Sequence, residues 1–161
     1  MDTVPAFAAV AATGVGAVLD LRSRRIPNWL TGSALLAGLL ANLLLHGFDG
    51  ALIALAGGAL GLGLLLPFYA MRAMGAGDVK LLAGVGALIG PQAVVSVAVY
   101  GGVVGGLLSL GVLLVRGRLI EGLQRALVLR TVPAPSGLKA PYGVAIAAGM
   151  VLTLLLPGVL G

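Results

Sequence analysis

The sequence predicts an all-α membrane protein of about six transmembrane helices, and three observations lead there. Of 161 residues, 60% are hydrophobic and only 9% charged, against about 25% charged in an ordinary soluble domain. The apolar residues come in long continuous runs broken by short polar clusters, as in polytopic helical proteins; they do not alternate with period two, as β-barrel strands do. All ten Lys and Arg, from Arg22 to Lys139, fall in the stretches after the first, third and fifth runs. The net charge of +5 therefore matches an anionic inner leaflet and gives no reason to expect nucleic acid as a partner.

The first run covers residues 4–19 and is short for a bilayer span. It carries no basic n-region before it, so a retained helix is expected rather than a cleaved signal. It ends in the basic loop Asp20-Leu21-Arg22-Ser23-Arg24-Arg25-Ile26-Pro27-Asn28, where the proline stops the helix. Trp29, an interfacial anchor, opens a second run to about His46, and Gly47-Phe48-Asp49-Gly50 reads as a turn. The third run, 51–70, is rich in Gly and Ala, which let membrane helices pack closely.

Met74-Gly75-Ala76-Gly77-Asp78-Val79-Lys80 follows, and the chain is organised around it. Residues 81–89 are too few to cross a bilayer unless their helix starts around Asp78, and Gly90-Pro91-Gln92 turns the chain back. The fifth run is 93–115. Residues 116–139 place Leu119, Ile120, Leu123 and Leu127 on one face, which predicts an amphipathic interfacial helix before Pro133. The sixth run, 142–160, is entered through Pro141-Tyr142-Gly143. Residues 1–161 form a single membrane domain.

Six spans put every basic residue on one side. The positive-inside rule makes that side cytoplasmic and both termini external. Of the five acidic residues, Asp2 and Asp49 then fall on the far side. Asp20 closes the first span and Asp78 opens the fourth, at similar depth on the cytoplasmic side, while Glu121 reads as a solvated residue. Ionisable groups in or near a bilayer are candidates for function. Two carboxyls at one depth can divide the work of general base and general acid on a water and a peptide carbonyl. Neither a cysteine nor a histidine on that side offers a rival nucleophile. Spacing leaves a second reading open: Asp78 as a helix cap, and Asp20 paired with Arg24 or Arg25. Zero cysteines exclude disulfides and Cys-ligated zinc, and His46 alone cannot build a multi-His metal site.

Gly75-Ala76-Gly77-Asp78, followed by Val79-Lys80-Leu81, resembles the GxGD motif of type IV prepilin leader peptidases. Asp20-Leu21-Arg22 with Ile26-Pro27-Asn28 resembles the segment around that family's first catalytic aspartate, and Pro141-Tyr142-Gly143 is similar to a third family feature. The resemblance covers essentially the whole chain. It implies an inner-membrane aspartic endopeptidase with Asp20 and Asp78 as the catalytic pair, and Gly75, Gly77, Lys80, Pro141, Tyr142 and Gly143 as supporting residues. Its substrate would be a prepilin-like protein with a basic leader and an apolar helix, cut at the cytoplasmic face. Lys80 and the arginines at 22, 24 and 25 read as positive-inside anchors, or as groups that orient the site or meet a substrate acid.

The long relatives carry a cytoplasmic insertion, often with a cysteine tetrad, and also N-methylate the pilin. With no cysteine and a loop of only 20–28, the chain resembles the short peptidase-only kind of Flp-type pili or preflagellins, which implies no cofactor and no methyltransferase activity. GxGD also resembles intramembrane proteases of the presenilin type, but the segment around Asp20 favours the prepilin family. The alternative is a non-enzymatic transport or pilus-assembly subunit. A transporter would place polar groups near mid-membrane, whereas the span interiors show few, Ser33, Ser96, Ser109 and Thr153.

Overall fold

A computed structural model of the chain describes residues 2–71, 73–115 and 142–156. The described residues form four α-helices: α1 (Thr3–Ser23), α2 (Asn28–Ala70), α3 (Ala76–Val115) and α4 (Tyr142–Leu155). The first three are long and apolar enough to cross a bilayer, and α4 is a shorter apolar helix. The expected amphipathic segment 116–139 lies outside the described residues, as do Arg72, Pro141 and the end of the sixth run.

Four helices stand where about six were expected, and two glycines account for the difference. α2 is interrupted at Gly47 (φ 64) and α3 at Gly90 (φ 83), both in backbone regions that a side chain disfavours. Each of these helices is therefore two arms meeting at one glycine. The expected turns at 47–50 and 90–92 shrink accordingly, since residues 48–50 and 91–92 are already helical. Pro91 sits at the start of the second arm of α3, where a missing N–H is harmless to the helix that follows.

The first arm of α3, residues 76–89, is the centre of the molecule. Residues 78, 79 and 81–88 are all buried. Both arms of α2 close on it through glycine. A Cβ on Gly38 of the first arm would stand 2.6 Å from the carbonyl carbon of Ala87, and one on Gly57 of the second arm would collide with the backbone of Gly86. Close backbone approach of this kind is what small residues provide in a bilayer, where dispersion replaces hydrophobic driving force. Leu81, Leu82, Val85 and Leu88 of this arm join Ala9 and Ala12 of α1, Ala34 of α2, Val94 and Val97 of the second arm, and Ile146 and Met150 of α4 in one core.

The span interiors hold more polar groups than expected. Thr13, Thr31 and Asn42 are buried together with Ser96. Thr13 Oγ1 donates to the carbonyl of Ala9 at 2.8 Å, so this hydroxyl is satisfied within its own helix. Asn42 has a longer reach, considered below.

Candidate active site

Asp78 lies in the first turn of α3 and is only 8% exposed. Its Oδ2 accepts the backbone N–H of Gly75 at 3.0 Å, while its own N–H donates to the Gly75 carbonyl at 3.2 Å. A first-turn carboxylate that reaches back to the residue before the helix satisfies a donor the helix cannot. Asp78 is thus not the N-cap that the sequence allowed: it is the third residue of the helix, and its bond back to Gly75, the residue before the helix, fixes the rotamer of the carboxylate. Gly77 faces the loop after α1. A Cβ there would lie 2.9 Å from Ile26 Cβ and 3.2 Å from the Ile26 carbonyl oxygen, so this position has no room for a side chain.

Asp20 lies in the last turn of α1 and is also 8% exposed. Its backbone carbonyl accepts the N–H of Arg24, the left-handed residue that closes the helix (φ 54), at 2.9 Å. Its side chain turns inward, and Oδ2 accepts the N–H of Gly143 at 2.9 Å. That donor belongs to the first turn of α4, whose early N–H groups have no partner within the helix. Glycine is required at 143 for this approach, because a Cβ would stand 2.9 Å from Asp20 Cβ and 3.2 Å from the carbonyl oxygen of Gly16. Tyr142, half-buried, packs over Gly105, where an added Cβ would lie 3.1 Å from the ring.

The two aspartates stand at the same end of the bundle. Gly16, one turn before Asp20, is in contact with Leu81, about one turn after Asp78: a Cβ on Gly16 would lie 2.9 Å from Leu81 Cδ2. Each carboxylate sits one turn beyond that contact, and the Ile26–Gly77 contact lies on the same side of it. Lys80, exposed, donates from Nζ to Oδ1 of Asn28 at 2.9 Å. At the other end of α1, Asp2 Oδ2 meets Nε2 of His46, beside the Gly47 break, at 2.6 Å. This matches the separation of Asp2 and His46 from Asp20 that the topology implied.

An apolar cavity of about 440 Å³ adjoins the site. Met74 and Tyr142, chain neighbours of the two N–H donors Gly75 and Gly143, line it, and Leu82, Val97 and Ile146 form its buried floor. Among the described residues no cluster of three or more His, Cys, Asp or Glu is placed to hold a metal ion. Gly16 and Asn42 are the residues that sequence reasoning passed over, and Asn28 entered it only as part of the segment after Asp20, with no role of its own. The signal for Asn42 was a lone amide inside a run of leucines; Gly16 carried none that set it apart from the other glycines.

Among curated proteins and among solved structures nothing matches the chain. The family model described as type IV leader peptidase family matches residues 7–110, well over half of the sequence and a stretch that includes both aspartates and the whole first arm of α3. The chain belongs to the type IV leader peptidase family.

Proposed function

We propose that the chain is a multi-pass aspartic endopeptidase of the inner membrane that removes the leader of type IV prepilin-like substrates, Flp-type pilins or preflagellins, at the cytoplasmic face. One observation carries this: two buried carboxylates at the same end of an apolar bundle each accept one backbone N–H, from Gly75 on Asp78 and from Gly143 on Asp20. In a leader peptidase, such a pair is the group set that general acid–base hydrolysis of a peptide requires.

In this reading one carboxylate takes a proton from a water molecule as its oxygen bonds to the scissile carbonyl carbon. The other carboxyl, protonated, gives its proton to the carbonyl oxygen. The tetrahedral diol then collapses: one hydroxyl returns its proton to the second carboxylate as the carbonyl re-forms, the C–N bond breaks, and the leaving nitrogen takes the proton that the first carboxyl had received from water. The held Oδ2 atoms supply orientation, the part of catalysis that a rigid scaffold provides. The six helical arms act as six membrane crossings, with GxGD at the cytoplasmic start of the fourth. The cavity beside Met74 and Tyr142, about 440 Å³ and apolar, suits a few apolar side chains of the substrate next to the cut.

The test is co-expression with a prepilin-like protein, comparing wild type with Asp20→Asn and Asp78→Asn by the size of the pilin band. Asparagine keeps a carbonyl oxygen for the Gly143 or Gly75 N–H and removes the ionisable group. Uncut precursor in both variants, at normal membrane levels of the enzyme, supports the proposal. The same mature band in all three sinks it.

A further inference from the structure

The link that follows α1, the helix of Asp20, is short, and the chain there meets the start of α3, the helix of Asp78, at two points. α1 ends at Ser23, and α2 begins at Asn28 after Pro27. Between them Ile26 rests against Gly77 so closely that a Cβ at 77 would lie 2.9 Å from Ile26 Cβ. Two residues farther on, at the first residue of α2, Oδ1 of Asn28 accepts the N–H of Lys80 Nζ at 2.9 Å. The two contacts bracket Asp78, one on the residue before it and one on the second residue after it.

Lys80 and Asn28 are both exposed. An exposed polar bond adds little to global stability, because water would satisfy either group as well. It does hold a side chain of many rotamers in one place. A lysine retained only as a cytoplasmic anchor would need no particular neighbour at 28, yet Asn28 presents an acceptor to it at ordinary hydrogen-bond length.

We propose that Asn28 is a positioning residue, which with Lys80 clasps the 24–27 linker to the start of α3 and so sets the placement of Asp20 relative to Asp78. The proposal rests on the reading of those aspartates as the catalytic pair. The clasp works through placement, so its loss slows the chemical step and leaves substrate affinity nearly untouched. Lys80 and Asn28 act as one unit, and removing either removes the whole effect.

The test uses the full chain in lipid vesicles with a prepilin-like substrate. Asn28→Ala and Lys80→Met each lower kcat about tenfold, a modest share of what a misplacement of about 1 Å can cost. KM stays within about twofold of wild type, and the double variant is no slower than the slower single. Asn28→Asp keeps the acceptor oxygen and recovers most of the rate. A silent Asn28→Ala, a change in KM alone, or a double variant whose losses multiply overturns the proposal.

A second readout needs no proteolysis. The chain has no cysteine, so Ile26→Cys gives a single thiol at the clasped loop. Its labelling by a water-soluble maleimide becomes several-fold faster when Asn28→Ala or Lys80→Met is added. Unchanged labelling overturns the clasp even in an enzyme that cleaves. Faster labelling in a protein whose wild type cuts no prepilin-like substrate sinks the protease reading and leaves the clasp standing.

Discussion

The side-chain amide of Asn42 donates to the carbonyl oxygen of Ala87 at 3.0 Å, in place of a donor that the chain lacks. In an unbroken helix that carbonyl would accept the N–H of residue 91, but residue 91 is proline. The Gly90 break also disrupts the helix beyond Leu88, and the same amide reaches the Leu88 carbonyl at 3.3 Å. It bonds back to Gly38 within its own helix at 2.9 Å. Asn42 is 7% exposed, in a region where no water would replace it. Its amide therefore closes the inner end of the helix that carries Asp78 at the other end.

Replacing Asn42 with leucine strands the Ala87 carbonyl while nearly conserving volume. The expected cost is about 1–3 kcal/mol for an unsatisfied buried polar group, with the lower half favoured because hydrogen bonds between membrane helices average about 0.6 kcal/mol. Reversible unfolding in mixed micelles checks this. The Asp2–His46 pair is the contrast, with side chains 49% and 45% exposed. Asp2→Asn should move stability by less than about 1 kcal/mol in the same assay.

The Gly143→Ala variant tests the approach of α4 to Asp20. A methyl group there would overlap the Asp20 side chain, and its nearest neighbours also include the backbone carbonyl of Gly16. Cleavage should fall by at least about tenfold, because Asp20 would lose its N–H donor or shift, while the protein still accumulates. Gly14→Ala and Gly63→Ala, where a Cβ meets nothing within 4 Å, should cleave like wild type. Equal activity in all three would remove the argument that Gly143 sets the site.

Gly57→Ala should fail differently. The added methyl collides with the Gly86 backbone in the centre of the bundle, and overpacking a tight contact costs about 1–3 kcal/mol. Its expected signature is a loss of folded protein in membranes, with residual activity in proportion to the amount that remains.

Sidedness can be read from single cysteines in the cysteine-free chain. Arg25→Cys and Asp49→Cys sit in exposed positions near opposite ends of the bundle. In right-side-out vesicles an impermeant maleimide should label position 49 and spare 25, and inverted vesicles should reverse the result. Labelling of both from one side would refute the six-crossing arrangement.

Much of this was legible in the residues, and the reason is the cost of charge. Asp20 and Asp78 stood out because acids are rare in so apolar a chain and because their neighbours placed them at span ends. Gly47 and Gly90 announced the breaks, since a helix rarely survives such glycines beside Pro91 or before Asp49. The central position of 76–89 was not legible. Its leucines and valines look like those that face lipid in α2, and only tertiary packing distinguishes the two. Asn42 was missed for a related reason: its partners are backbone carbonyls 45 residues away, which carry no mark in sequence.

The burial of the central arm also bears on the surrounding lipid. A helix ringed by protein does not feel the thickness of the bilayer, which acts on α1, α2 and the outer arms through tilt and mismatch. The axial offset between the two carboxylates is set by contacts such as Leu81 on Gly16, not by the headgroup plane. Such an enzyme tolerates membranes of different composition, and its rate in short-chain and long-chain lipid vesicles should be nearly the same.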